Sequence, residues 1–402
     1  MEKQVDFLIV GSGILGLSIG LEILRNFPTS RTLILDKEAI SGLHASGRNS
    51  GVLHAGFYYS ADSLKAKFCA DGNLELRKVI RDHNIPLLEC GKVVVAQNET
   101  ELAQLIKLHE RGNQNGVRQE ILPASDLNNF EPYAKTYKEF LWSPNTAVSD
   151  PKAVIRALER DYLAKGGEIL HNAMFTTNSN FEHRINGEPV RADKIVNVSG
   201  TGAIDIANRL GEGLEYAQLP VLGLYKITDD RSVPLKTLVY PVPNPEYPFL
   251  GVHFTLTLEK KIKIGPTAIP IIGSEQYSIC SKVSKDDLWG STKAIKSLLF
   301  NSPKLLTSLA VAELPKVSTR RLINDGQRLV PKARLISSWS YKEPGIRAQL
   351  VRLDEGKFEM DFVIRSANGV VHVLNAVSPG WTAAIPFAKH IFEKYLATSS
   401  IE

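Results

Sequence analysis

Apolar and polar positions alternate along this chain in blocks that read as strands and helices in turn. Val5 to Val10 (VDFLIV) is a short apolar run closed by a glycine-rich turn, the pattern of a buried parallel strand. An apolar helix is expected from that turn to about Phe27, where Pro28 ends it. Arg31 to Leu35 (RTLIL) is a second strand, finishing at Asp36. Residues 81–145 combine a strand (LLECGKVVVAQ) with a helix rich in Glu, Gln and Leu. Residues 150–210 return to strand–helix character, ending with a strand at Lys194 to Val198 before Gly200. Residues 215–345 hold short alternating strands, such as Ile262 to Gly265, and a proline-rich loop, Pro241 to Pro248, which suits an antiparallel sheet. MDFVIRSA and GVVHVLNA then form two strands with a glycine turn between, and Ala383 to Leu396 is an apolar-faced helix. No repeat of 20–50 residues is visible. The pattern predicts an α/β chain, α+β overall.

Phe7 to Leu24 has only Ser12, Ser18 and Glu22 as polar residues, so hydropathy alone would allow a membrane helix. Four glycines punctuate it, no positive cluster flanks it, and Glu22 in lipid would cost about 2–3 kcal/mol. A better reading is strand, Gly11-Ser-Gly13-Ile-Leu-Gly16, helix, strand, acid. In that order Gly11 permits a tight turn, Gly13 lets backbone approach a pyrophosphate, and Gly16 allows close helix–strand packing. The helix N-terminus offers N–H groups to phosphate, and Asp36 can accept from a ribose diol. Asp36 also disfavours a 2′-phosphate, so NADP is excluded while NAD and FAD remain open on this motif alone.

Composition narrows the class. The 402 residues are 43% hydrophobic and 23% charged, which excludes a disordered chain. Cys69, Cys90 and Cys280 lie far apart, giving neither a disulfide framework nor a CxxC knuckle. His44 and His54 lack a matching carboxylate or cysteine spacing, so no metal is expected. The net charge of +5 is too small to argue for nucleic acid. Met1 lies only four residues before the first strand, so a cytoplasmic location is the default expectation.

Gly42 to Lys67 (GLHASGRNSGVLHAGFYYSADSLKAK) resembles the flavin-binding loop of the D-amino-acid-oxidase-like superfamily of FAD enzymes. NSGVLHAGFYY followed by SLKAK resembles L-2-hydroxyglutarate dehydrogenases and oxidases within it. The likeness continues in ECGKVVVA, SPNTAVSDPKAV, NVSGTGAIDIANRLG, YPVPNPEYPFLGVHFT, GIRAQ and NAVSPGWT. It implies a discontinuous Rossmann-like FAD-binding domain (1–80, 150–210 and 346–402) and a mostly antiparallel substrate domain (81–149 and 211–345). The implied FAD contacts are Gly11, Gly13, Ile14, Gly16, Asp36, Lys37, Ser46, Arg48, Asn49, Ser50, Gly51, Gly200, Ser378, Gly380, Trp381 and Thr382. Two departures fall near the expected active site: Leu222 stands where the family carries arginine, and Trp381 replaces a small residue of the usual PAAT.

The resemblance implies oxidation of L-2-hydroxyglutarate, or a related 2-hydroxy acid, to the 2-oxo acid, with oxygen or a quinone as electron acceptor. The alternatives are an amine or amino-acid oxidase of the same superfamily, or a flavin-binding paralogue without this turnover. Hydride leaves C2 while the hydroxyl proton needs a base, and His54 in GVLHAG is the candidate, with direct flavin contact and a merely structural role as its alternatives. Arg347 in GIRAQ suits the substrate carboxylate. His253, Tyr58 and Tyr240 are expected to line the pocket, and Lys65 and Lys67 to be surface or charge-pairing residues. Ser281 to Arg347 carries thirteen Lys/Arg against five Asp/Glu, with amphipathic pieces at Ala294 to Leu299 and Leu305 to Leu314. That stretch reads as a solvated basic face that draws anionic substrate inward, or as a peripheral contact with the inner face of an anionic membrane.

Overall fold

Both faces of the first strand are buried, and that fixes the first layer of the molecule. In the computed structural model, residues 3–397 are described except 246, 248, 279, 280 and 282. Phe7 and Ile9 pack into one cluster with the helices Ile14–Asn26 and Ala384–Ile391, while Leu8 and Val10 pack into another on the opposite face. Side chains alternate across a strand, so a strand apolar at every position must be covered on both sides. The sheet around it is parallel in the order Glu168–Leu170, Thr32–Leu35, Lys3–Val10, Glu188–Asn197, Val370–Leu374. Val363–Ala367 adds an antiparallel edge, forming the expected hairpin with Val370–Leu374. Phe175–Thr177 and His183–Ile185 extend the other half of Glu188–Asn197.

The second sheet has ten strands and is antiparallel apart from one pair, Lys92–Val95 beside Leu238–Pro241. Its long central strands, Tyr216–Thr228 and Ser340–Arg352, run side by side, and the latter continues through position 346 without leaving the sheet. Ile262–Gly265 is a strand, as the alternation predicts. A small third sheet joins Val52–Leu53, Ala147–Ser149 and Leu87–Leu88. It carries the chain out of the flavin-type loop toward the second sheet.

The basic stretch departs from the strand pattern of its surroundings. Lys285–Asn301, Pro303–Glu313 and Thr319–Gly326 are helices, and the first is capped by the Ser284 side chain accepting from Asp287 N. The last helix is also shorter than its apolar pattern: Ala384–Ile391 is α-helical and Phe392–Leu396 continues as a π-turn. Pro248, which ends the proline-rich loop, and Cys280 lie outside the described residues. The segment Phe7 to Leu24 is a strand, a turn and a short helix. Among the described residues no helix is long and apolar enough to cross a membrane.

Candidate active site

Backbone builds the first end of the site. Gly11 has φ +114, and a side chain there would press on Val198 O at 2.8 Å. A Cβ on Gly16 would overlap Gly11 O, so the helix can lie this close to the turn only with glycine at that position. The helix N-cap is Gly13, which has no side chain to occupy the space in front of the helix. Ser46 reaches back to this corner, its Oγ accepting from Ile14 N at 3.0 Å. Asp36, at the end of the second strand, accepts from Ser12 N at 2.9 Å and Ser12 Oγ at 2.5 Å through one oxygen, and from Glu38 N at 3.0 Å through the other. This is a cradle of the right chemistry for a dinucleotide: glycine backbone where phosphates pass and a carboxylate one turn away. Gly200 has φ +63 and follows the Val198–Ser199 backbone against which Gly11 packs.

The loop 42–51 spends much of its polar inventory on itself. Asn49 Nδ2 donates to Ser46 O at 2.7 Å and its Oδ1 accepts from Gly51 N at 2.8 Å. Ser50 O accepts from Lys263 Nζ at 2.7 Å. Arg48 donates from Nε to Leu43 O at 2.9 Å and lays its guanidinium over the Tyr277 ring at 4.1 Å. Arg48 also lines a cavity of about 320 Å³ with Ile40, Leu43, Lys152, Ile155 and Arg156. Lys37 pairs with both Glu38 and Glu275. Together with His44 those two carboxylates bring ligand-type atoms within 4.8 Å of one another, with the Lys37 ammonium paired to both.

The closing segment is tied to the flavin-type loop. Thr382 Oγ1 accepts from His54 N at 3.2 Å and donates to Val52 O at 3.4 Å. Ser378 bonds the Tyr59 hydroxyl. Trp381 packs into the core of the parallel sheet, its Nε1 without a partner among the described residues. Gly380 packs beneath Ala376 O and Val377 O.

The second end of the site is built from side chains, and it gathers residues far apart in sequence. His54 follows the Val52–Leu53 strand, His253 opens His253–Leu256, Tyr240 lies in Leu238–Pro241, and Arg347 lies in Ser340–Arg352. His253 stacks on Tyr240 with ring centroids 3.9 Å apart. Burial pushes the imidazoles of His54 and His253 down to about 3, and the positive charges of Lys92 and Arg347 push the same way. His253 Nδ1 lies 2.8 Å from Gly251 O, so the neutral ring carries its proton there and keeps a lone pair on Nε2. His54 Nδ1 is buried without a partner among the described residues. Burial also lowers Arg347, with Tyr59 and Tyr225 opposing. Its guanidinium sits 5.3 Å from the Phe249 ring centroid.

Lys92 belongs to this cluster, and sequence reasoning passed over it. It opens the strand Lys92–Val95, is fully buried, and places Nζ 4.4 Å from the Phe57 ring centroid, 4.5 Å from Tyr58 and 4.8 Å from Tyr240. Burial pushes its ammonium down to about 7. The signal was a lysine at the head of an otherwise apolar strand. Of the two expectations for Lys65, surface or charge-pairing, the first is corrected: it is 6% exposed and donates from Nζ to Met360 O at 2.6 Å, with the charges of Asp361 and Glu359 acting on it. Leu222 is also buried, against Ile269 and Ile346, so no charge replaces the arginine expected there.

The family of FAD-dependent oxidoreductases known as DAO matches residues 6–394. The chain belongs to this family. It is therefore an FAD-dependent oxidoreductase. Two curated relatives are L-2-hydroxyglutarate dehydrogenases. That of Escherichia coli K12 is 32% identical over 97% of this chain and 92% of its own length. That of Indibacter alkaliphilus is 32% identical over 98% of each. Among solved structures, L-α-glycerophosphate oxidase from Mycoplasma pneumoniae with FAD bound shares the fold at a TM-score of 0.74, with 21% identity over 96% of this chain and 93% of that one. This FAD-dependent oxidoreductase thus keeps its family's fold along nearly its whole length.

Proposed function

We propose that this FAD-dependent oxidoreductase oxidises L-2-hydroxyglutarate, or a closely related 2-hydroxy acid, to the 2-oxo acid. The observation that carries the reading is the meeting of His54, His253 and Arg347 in one buried cluster. The full-length relatives named for that substrate support it. FAD, when bound, supplies the two-electron acceptor for the hydride from C2. Gly11, Gly13, Ile14, Gly16, Asp36, Lys37 and Gly200 would hold its adenosine and phosphates. Ser46, Arg48, Asn49, Ser50 and Gly51 would pass along it, and Ser378, Gly380, Trp381 and Thr382 would face its ring.

The protein's own task is the proton and the two ends of the substrate. His54 is neutral through the physiological range, so its ring can accept the hydroxyl proton. His253, stacked on Tyr240 and held by Gly251 O, would form the wall beside the reacting carbon. Arg347 presents a planar fork to the C1 carboxylate, and Tyr58 and Tyr240 close the walls. Water is scarce here, which strengthens each of these contacts.

The electrons leave for oxygen or a quinone. For the second acceptor we infer a peripheral contact with an anionic membrane through the helix Lys285–Asn301. Trp289, Lys293, Lys296 and Phe300 are spaced to fall on one line of that helix and all four are exposed, the aromatics by 66% and 77%. Ser291, Ala294 and Leu298 are buried on the opposite side. Two aromatics flanking a pair of lysines suit a headgroup region. The double variant Trp289→Ser, Phe300→Ser is expected to lose co-sedimentation with phosphatidylglycerol vesicles. If the unaltered chain does not sediment with them, the contact is absent.

The central test is anaerobic bleaching of the flavin band by L-2-hydroxyglutarate, with the D-isomer, L-lactate, L-malate and glycine in parallel. Bleaching by the L-dicarboxylate alone supports the reading. Bleaching by glycine would move the chain to the amine-oxidase alternative, and a yellow protein that none of them bleaches would defeat the proposed turnover.

A further inference from the structure

Three buried polar groups around one point lack partners among the described residues: Lys92 Nζ, Tyr58 Oη and His54 Nδ1. Lys92 stands against the ring of Tyr58, and its charge is felt at His54. Among the described residues no carboxylate is paired with Lys92 Nζ. Aromatic faces offset part of the cost of burying an ammonium, and they leave all three of its N–H donors unused. A cation buried without an anion is costly to the folded chain and is satisfied when a ligand brings the missing charge. Of the three rings around Nζ, Phe57 and Tyr240 are buried and Tyr58 is partly exposed, so Tyr58 is the side from which a ligand can arrive.

We propose that Lys92, with the Tyr58 hydroxyl, receives the second carboxylate of the substrate and so sets the preference for dicarboxylic over monocarboxylic 2-hydroxy acids. The inference rests on the substrate reading above and deepens it. Arg347 holds the carboxylate beside the reacting carbon, and Lys92 holds the one at the far end of the chain. This arrangement also accounts for Leu222. An apolar residue packed on Ile269 and Ile346 can stand at that position because the second cation enters from a different sheet strand. The lowered affinity of Lys92 for its proton fits a group held without a counter-ion, and a bound carboxylate would restore it.

The test uses the purified holoenzyme and two substrates of equal length, L-2-hydroxyglutarate and L-2-hydroxypentanoate, in which a methyl replaces the far carboxylate. The readout is the ratio of their kcat/KM values. Lys92→Met is expected to lower the dicarboxylate-over-monocarboxylate ratio at least tenfold, with the loss in the KM for the dicarboxylate. Lys92→Arg is expected to retain most of the ratio. A ratio unchanged in Lys92→Met, with both substrates falling together, overturns the assignment. If Lys92→Met does not hold flavin, Tyr58→Phe is read on the same ratio. A fall there supports the site and an unchanged ratio overturns it. Failure of the unaltered enzyme to be reduced by L-2-hydroxyglutarate at all is a separate outcome, which removes the substrate reading itself and this inference with it.

Discussion

The two ends of the active site are built by different means. At the cofactor end the parts are contiguous in sequence and mostly backbone: Gly11, Gly13 and Gly16 within one turn, with Asp36 on the next strand. At the substrate end the parts are side chains, drawn from the flavin-type loop and from four strands of the second sheet. The first end fails by steric overlap, in an all-or-none way. The second depends on charge, so it should fail by degrees and with a dependence on pH.

The largest effect is expected at the first end. Gly16→Ala would drive a methyl into Gly11 O, an overlap that costs about 1–3 kcal/mol or more if the turn must move. Its expected outcome is a protein purified without flavin, read from the ratio of visible to ultraviolet absorbance. If Gly16→Ala retains full FAD, the backbone account of that end is wrong. At the other end His54→Ala should keep the yellow colour and slow anaerobic flavin reduction by about 10²–10⁴-fold, the usual worth of a general base. Normal reduction in that variant would remove His54 from the chemistry. Arg347→Lys keeps a charge but loses the fork, and should raise the substrate KM by roughly tenfold, the value of about one charged hydrogen bond. An unchanged KM would put the carboxylate clamp elsewhere.

The smallest effect concerns stability. His253 is held neutral down to about 3, whereas its ordinary value is 6.5. Between those values the unfolded chain binds a proton that the folded chain does not. Stability therefore falls as pH drops through that window, by up to about 1.4 kcal/mol per pH unit for this one group. Replacing His253 with glutamine should flatten the fall in unfolding free energy between pH 6.5 and 4. An equal slope in both proteins would mean that the imidazole is not desolvated as described.

The same contrast explains how far the sequence could be read. The glycine turn, its helix and Asp36 were legible because each role depends on neighbours a few residues away. The parallel strand order follows from them and from the apolar runs at Lys194 to Val198 and Gly369 to Ala376. Lys92 was not legible as a site residue. Its environment is made by Phe57, Tyr58 and Tyr240, and no local pattern brings those rings to one lysine. Lys65 misled for a similar reason: Met360 and Asp361, nearly 300 positions away, cover it. The helices of 285–326 were visible only as amphipathic fragments, because their buried faces include serine as well as alanine and leucine. The polar loop 42–51 suggested more outward-facing donors than it has, since Asn49 folds its amide back on the loop.

The parallel sheet borrows its strand Val370–Leu374 from the far end of the chain, and that strand pairs with Ile195–Asn197 near the middle. During synthesis the first three hundred and more residues must therefore wait with the Glu188–Asn197 edge uncovered on one side. Unpaired edges invite pairing with other chains, and distant pairings close slowly. A ribosomal product stopped before residue 370 would carry an intact glycine turn and both His54 and His253, yet it would lack Thr382 to tie His54 in place. The enzyme is thus finished only by its last thirty or so residues, which makes premature termination anywhere upstream equivalent to loss of the whole catalyst.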